Sequence, residues 1–253
     1  MKRDQTNGWH RASLRDVDDV RWQKLANRNI YFGHQSVGTD IVNGIRDIQR
    51  EYPQVRLNIV RSSNPSGVTG SAFVESTVGK NGDARSKTAN FLTVLEEGIG
   101  SAGGIAMYKY CFADVNLDTD IPGMFDAYKV AAESVRVRYP RVILVHITMP
   151  LTRAERLLKS FAKSLLRRPS ARALELKRNQ FNDLLRKEYS GKEPIFDLAA
   201  VESTRSDGSR TFFRRDGIAV YTLAPEFTND GGHLNEFGRR RAAEELLITL
   251  AHL

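Results

Sequence analysis

Short apolar runs alternate with amphipathic stretches along most of this chain, and that alternation limits the folds open to it. Residues 29–33 hold Ile30-Tyr31-Phe32 in a row, bounded by polar residues and Gly33, which suits a strand buried on both faces. Past His34-Gln35-Ser36-Val37-Gly38, Ile41, Val42, Ile45 and Ile48 share one helical face, and Pro53 stops that helix. Residues 55–60 read as the second strand, so the chain begins β-loop-α-β, as a right-handed parallel crossover requires. Residues 62–87, rich in Ser, Gly, Asn, Thr and Lys, read as one long loop. Phe91, Leu92, Leu95 and Ile99 mark a helix that Gly98 and Gly100 close. Residues 104–114 give a third strand, and Phe125, Tyr128, Ala132 and Val135 give a helix with Pro122 in its first turn. Residues 141–149 form the most pronounced strand, the fourth; Leu174 through Leu185 follow as a helix, and Ile195-Phe196-Asp197-Leu198 is the fifth strand. Residues 202–229 read as a polar, hairpin-like connection with turns at Asp207-Gly208 and Asp216-Gly217, before a closing helix over 235–250. Five strands alternating with helices predict a three-layer α/β/α sandwich around a five-stranded parallel sheet.

At 253 residues the chain can bury one large core, read here as a single domain over 29–253 preceded by an arm, 1–28, whose Trp9 and Trp22 can pack on it. The net charge of +8 reads either as a solubilising surface or as attraction for anions. The single cysteine, Cys111, rules out an intrachain disulfide and an all-cysteine metal site. No apolar run is long enough to span a membrane, and residues 1–23 lack the apolar core of a signal peptide. Residues 153–172 depart from the alternation. Leu157, Leu158, Phe161, Leu165 and Leu166 share a face, and Arg153, Arg156, Lys159, Lys163, Arg167, Arg168 and Arg172 surround it. This is either a docked helix with a solvated basic face or a contact for an anionic lipid or polymer, and its place after the fourth strand makes it a candidate lid. No P-loop, Gly-x-Gly-x-x-Gly, His-x-His or His-Glu-x-x-His occurs, so no cofactor or metal is expected; no nucleic-acid partner is expected either, with a nucleic-acid or anionic-membrane binder using residues 153–172 kept as a third reading.

In a parallel sheet, ligands bind at the carboxyl ends of the strands. Ser36 lies there, between the first strand and the first helix, where helix N–H groups favour a developing anion. Asp230-Gly231-Gly232-His233 lies just before the last helix, a compact way to give an imidazole its own carboxylate. A serine hydroxyl attacks only when a base takes its proton, and an Asp-held His is such a base, so Ser36, Asp230 and His233 are the candidate nucleophile, orienter and base. Each also has a plainer reading: Ser36 as a helix N-cap, Asp230 as a cap of the last helix, His233 as a surface histidine.

Together these blocks resemble the SGNH (GDSL-type) hydrolase superfamily, a flavodoxin-like α/β/α fold. Asp230-Gly-Gly-His233-Leu-Asn-Glu-Phe-Gly238 is similar to its last block. Phe32-Gly33-His34-Gln35-Ser36 is similar to its first, with Gln35 in the place of the family's Asp and one residue added; Gly79-Lys80-Asn81-Gly82-Asp83 is similar to its second. The third block departs: Cys111-Phe112-Ala113-Asp114 keeps only the final Asp and lacks the Asn that donates to the oxyanion. The resemblance implies an ester hydrolase (esterase or deacylase) working through an acyl-enzyme, with a small-molecule or saccharide ester as substrate. It implies an oxyanion site at the Ser36 and Gly82 N–H groups, with Asn81, Lys109 or Gln35 standing in for the absent Asn. Acyl transfer on the same triad and a non-catalytic binding module on the same fold are the alternatives.

Five further residues need a reading. His34 lines the pocket or is structural; Cys111 is a small buried hydrophobe near the pocket. Asp114 orients a pocket donor or caps a loop, and Lys109, inside a strand, needs a partner such as Asp114 or Asp230. His146 lies within an apolar strand and reads as core or pocket edge.

Overall fold

The computed structural model describes residues 13–154 and 171–253. Helix α1 (Asp19–Ala26) leads into strand β1 (Ile30–His34) and helix α2 (Val37–Glu51). Strands β2 (Ile59–Arg61) and β3 (Phe73–Thr77) come next, then α3 (Ala84–Val94), which runs on through a wider turn at Leu95–Ile99. Strand β4 (Gly104–Tyr108), α4 (Ile121–Arg138), β5 (Val142–Ile147), α5 (Ala171–Tyr189), β6 (Ile195–Phe196) and α6 (Leu198–Ser203) follow. An antiparallel hairpin, β7 (Phe212–Arg215) and β8 (Ile218–Tyr221), precedes the closing helix α7 (Glu236–Ala251). The hairpin turns at Asp216 and Gly217, both at positive φ, the conformation a two-residue turn between twisted strands demands.

The main sheet has the order β2-β3-β1-β4-β5-β6, and every paired neighbour is parallel. It holds six strands where the sequence pattern predicts five. The added strand is β3, inside the stretch read as a loop. Its Glu75 and Ser76 are buried yet polar, which breaks the apolar signature of a covered strand. Both are satisfied from other elements: Glu75 by His34 at 3.1 Å and Arg46 at 3.4 Å, Ser76 by the Tyr31 hydroxyl at 2.8 Å. The third predicted strand is also shorter, because the chain leaves β4 at Tyr108 and closes a tight turn at Phe112–Asp114.

Side chains alternate between two cores, as a strand's period of two requires. Ile30, Phe32, Ile105, Met107 and Val145 face Ile41 and Ile45 of α2 and Leu246 and Leu247 of α7. Tyr31, Val74, Ala106, Tyr108 and Leu144 face Phe91 of α3, Tyr128 of α4 and Phe181 of α5. Gly44 lets α2 and α7 touch: a Cβ there would lie 2.4 Å from the Arg239 carbonyl oxygen. Trp22 and Leu25 of α1 are buried in the first core, so the described part of the expected arm is packed onto the domain. Of the expected basic lid over 153–172, residues 155–170 lie outside the described residues.

Candidate active site

At the carboxyl end of β1 the chain turns sharply into α2 through Ser36, which has φ 55° and ψ −116°. Only glycine enters positive φ freely, so a serine held there is strained and must be over-determined by its surroundings. Two glycines make the turn fit. A Cβ at Gly33 would come 2.6 Å from Val78 Cγ1, and one at Gly38 would come 2.3 Å from the His34 Cβ. The Ser36 carbonyl accepts from Thr39 N–H at 2.7 Å, while its hydroxyl makes no capping bond. The plainer reading of Ser36 as an N-cap therefore does not describe its side chain.

In the loop before α7, His233 Nδ1 and Asp230 Oδ2 are 2.6 Å apart. Asp230 Oδ1 also accepts the Gly232 and His233 N–H groups, each at 2.8 Å. These contacts, the Gly232 N–H first and the His233 ring next, hold the Asp230 carboxyl well below the usual carboxylate range. An ionised Asp230 fixes the proton on Nδ1 and leaves Nε2 as the acceptor. The last helix has its own cap, Asn235, which accepts from Gly238 N–H at 3.0 Å, so Asp230 does not perform that job. The loop rests on the Phe112 ring, 5.7 Å from the His233 ring, and Arg153 N–H donates to the Gly231 carbonyl at 2.8 Å.

One residue that the sequence reading missed ties these two parts together. Asp40, in the first turn of α2 and four residues past Ser36, accepts Leu234 N–H at 3.1 Å. Burial raises its pKa, while the Leu234 N–H, His233 and Lys109 oppose that rise. In sequence an acid in a first helical turn reads as a dipole partner, so nothing marked it out.

The second and third blocks meet at Asp114. Its carboxylate binds the Lys87 ammonium at 2.6 and 2.8 Å, and both side chains are fully buried. It also accepts Gly82 N–H at 2.9 Å and Cys111 N–H at 2.7 Å. Asn81 Oδ1 accepts from the same ammonium at 3.0 Å. The Gln35 amide donates to the Val78 and Gly79 carbonyls at 2.8 and 2.6 Å, stitching the Ser36 turn to the loop after β3. Of the candidate oxyanion donors, then, Gly82 N–H and the Gln35 amide already have acceptors.

Lys109 does not pair with Asp114 or Asp230, as the sequence suggested; Lys87 and His233 occupy those carboxylates. Its side chain is 1% exposed. Its ammonium sits 3.4 Å from both the Tyr110 carbonyl and Cys111 Sγ, and among the described residues it makes no ion pair. Cys111 is buried, its thiol directed at the Gln35 carbonyl at 3.7 Å. His34 turns inward: Nε2 meets Glu75 at 3.1 Å, and burial lowers its pKa. His146 is a core residue, bonded to the Tyr128 hydroxyl at 2.7 Å and Glu193 at 3.0 Å and stacked on Tyr189. Among the described residues no cluster of three or more His, Cys, Asp or Glu is placed to hold a metal ion, and no helix is long and apolar enough to cross a membrane.

No family model and no curated sequence matches the chain. Solved structures do, among them structures of the GDSL (SGNH) lipolytic family, whose fold this chain shares. A GDSL-like lipase from Bacteroides thetaiotaomicron is 15% identical with a TM-score of 0.52, over 90% of this chain and 88% of that one. A member of the lipolytic G-D-S-L family from Veillonella parvula is 12% identical with a TM-score of 0.50, over 88% of this chain and 98% of that one. A Streptococcus pneumonia protein named after platelet activating factor is 15% identical with a TM-score of 0.54, over 94% of both chains. At these identities the likeness is one of fold.

Proposed function

We propose that the protein is a serine ester hydrolase, an esterase or deacylase, built as a single SGNH-hydrolase-like domain over residues 29–253. The observation that carries the proposal is Ser36: a serine in a strained, positive-φ turn at a helix start, its hydroxyl uncapped, on a helix hydrogen-bonded to the loop of an Asp-held histidine. In this reading Ser36 Oγ attacks the ester carbonyl carbon while His233 Nε2 takes the hydroxyl proton. Asp230 stabilises the imidazolium that forms. The tetrahedral oxyanion is held by the Ser36 N–H and by a donor from the Asn81-Gly82 loop or Lys109. The imidazolium then gives its proton to the departing alcohol, leaving an acyl-Ser36 ester. A water activated by His233 releases the acid and restores the hydroxyl. An alcohol in place of that water would make the same site an acyltransferase.

Hydrolysis of a panel of short-chain esters and acetylated sugars by the wild type, abolished in folded Ser36→Ala, is the expected result. A folded wild type with no turnover on any member, or turnover that survives in Ser36→Ala, contradicts the reading. The engagement of Gly82 N–H by Asp114 favours a second reading, a non-catalytic binding module on the same fold. Under that reading the acetylated sugars bind and are not cleaved.

A further inference from the structure

Helix α4 buries one face and carries apolar side chains on the other. Phe125, Tyr128, Ala132 and Val135 point into the core. Val130 and Val137, two turns apart and on the opposite stripe, are 71% and 69% exposed. Among the described residues no other helix exposes two large hydrophobic side chains. The apolar surface continues from Val130 into a groove of about 600 Å³ between α3 and α4, where Leu92, Met124 and Ala127 line it. Its far end, at Gly82, is polar, with an exposed Arg85 and the α3 cap Asp83. Scattered apolar residues are normal on a surface, whereas a contiguous apolar face marks a place of association.

The charges beside the stripe select the partner. On the side away from the groove, α4 carries Asp126, Lys129, Glu133 and Arg136, acid and base in alternation. Two such helices packed parallel would set Asp126 against Asp126 and Arg136 against Arg136. Packed antiparallel, with Val130 meeting Val130 on a two-fold axis, Asp126 of each copy faces Arg136 of the other, and Lys129 faces Glu133. One register thus satisfies both the apolar stripe and its charged flank. Within a copy Arg136 pairs with Glu133 and reaches Glu193 at 3.8 Å, and Lys129 reaches Glu188 at 3.7 Å. Both cations stay partly exposed and keep donors to share with a second copy.

We infer that the outer face of α4 is the interface of a two-fold homodimer, with α4 packed antiparallel on its copy through Val130 and Val137. The partner is a second copy of this chain because the face is complementary to itself. One helix per copy makes a small interface, so the association is weak, in the micromolar range. The pairing does not depend on what Ser36 does. It lays the second α4 along the outer wall of the groove that ends at Gly82.

Sedimentation velocity on the full chain across micromolar concentrations should show a monomer–dimer equilibrium. Val130→Glu, which sets two carboxylates on the two-fold axis, should leave only monomer and an unchanged melting temperature. Asp126→Arg and Arg136→Asp should each weaken the dimer about tenfold, and the double variant should recover it. Positions 126 and 136 lie about 15 Å apart along the helix, too far to pair within one copy, so recovery reports a contact between copies. Val130→Cys should form a disulfide-linked dimer on mild oxidation, the native Cys111 being buried. A monomer at every concentration overturns the inference. A monomer that binds an apolar dye, with binding lost in Ala127→Trp, would make the face a small-molecule site and also overturn it. So would a dimer that survives Val130→Glu, which must lie on another face. Losses that the double variant does not recover, or Val130→Cys that stays uncrosslinked, overturn the antiparallel pairing.

Discussion

Leu234 N–H donates to Asp40 Oδ2 at 3.1 Å, so the loop that carries His233 is hydrogen-bonded to the helix that begins at Ser36. Strand topology brings the two regions to one edge of the sheet, but hydrogen bonds set their spacing. A hydrogen bond to a charged group contributes about 1.5–3 kcal/mol, and in the proposed site that energy fixes the spacing of Ser36 and His233. Asp40→Ala is expected to lower kcat by roughly 10- to 100-fold, the scale of a small misplacement of reacting groups, with little change in KM. Asp40→Asn keeps an acceptor for Leu234 N–H and should recover much of the loss. Equal activity for the wild type and Asp40→Ala would remove Asp40 from the site.

Asp230 holds Nδ1 of His233 through a 2.6 Å contact. Asp230→Asn puts an amide where a carboxylate fixes the tautomer, and a loss of about 10⁴ in kcat is expected. Both side chains are at least half exposed, so thermal stability should scarcely move. Parallel activity and melting measurements check the split.

Much of this was legible in the sequence. The strand-helix alternation gave the parallel α/β architecture, while Ser36, Asp230 and His233 were named from position and spacing together with the resemblance to the SGNH superfamily, and their roles are part of the proposal. What stayed hidden shares a physical cause: polar residues satisfied by distant partners. Strand β3 was lost because Glu75 and Ser76 find His34 and Tyr31 on another strand. Lys87 was missed as the partner of Asp114 because a lysine on α3 resembles a solvated face until its burial is seen. Asp40 was missed because its acceptor role depends on an N–H 194 residues away in sequence.

The Lys87–Asp114 pair gives a stability prediction. Asp114→Ala leaves a fully buried ammonium uncompensated and frees the Gly82 and Cys111 N–H groups. A loss of about 3–5 kcal/mol in chemical denaturation is expected. Adding Lys87→Met removes the orphaned charge and should restore part of it. A double variant no more stable than the single one would mean that the N–H contacts, and not the ion pair, supply the energy.

Lys109 predicts the opposite division between stability and rate. It is a buried cation without an ion pair among the described residues, so Lys109→Met should leave the melting temperature unchanged or higher. If its charge serves the oxyanion, the same variant loses about 100-fold in kcat. A variant as active as the wild type would reassign Lys109 to structure.

Glu202 supplies the pH dependence. Burial raises its carboxyl from 4.5 to about 8, with the Leu151 N–H and Lys109 opposing. The folded state therefore binds a proton that the unfolded chain gives up between pH 4.5 and about 8. Its contribution to stability is fully present below pH 4.5 and declines as pH rises through that window. Glu202→Gln, neutral at every pH and still able to accept Leu151 N–H, should flatten the decline. Melting temperatures from pH 5 to 9 that fall equally in both proteins would contradict this.

The central claim is that Ser36 is a nucleophile activated by His233. A fluorophosphonate probe tests it without any knowledge of the substrate. Intact-protein and peptide mass spectrometry should find one covalent adduct, located on Ser36, absent in folded Ser36→Ala and strongly slowed in His233→Ala. A folded wild type that takes up no probe, or takes it up at another residue, would contradict the account.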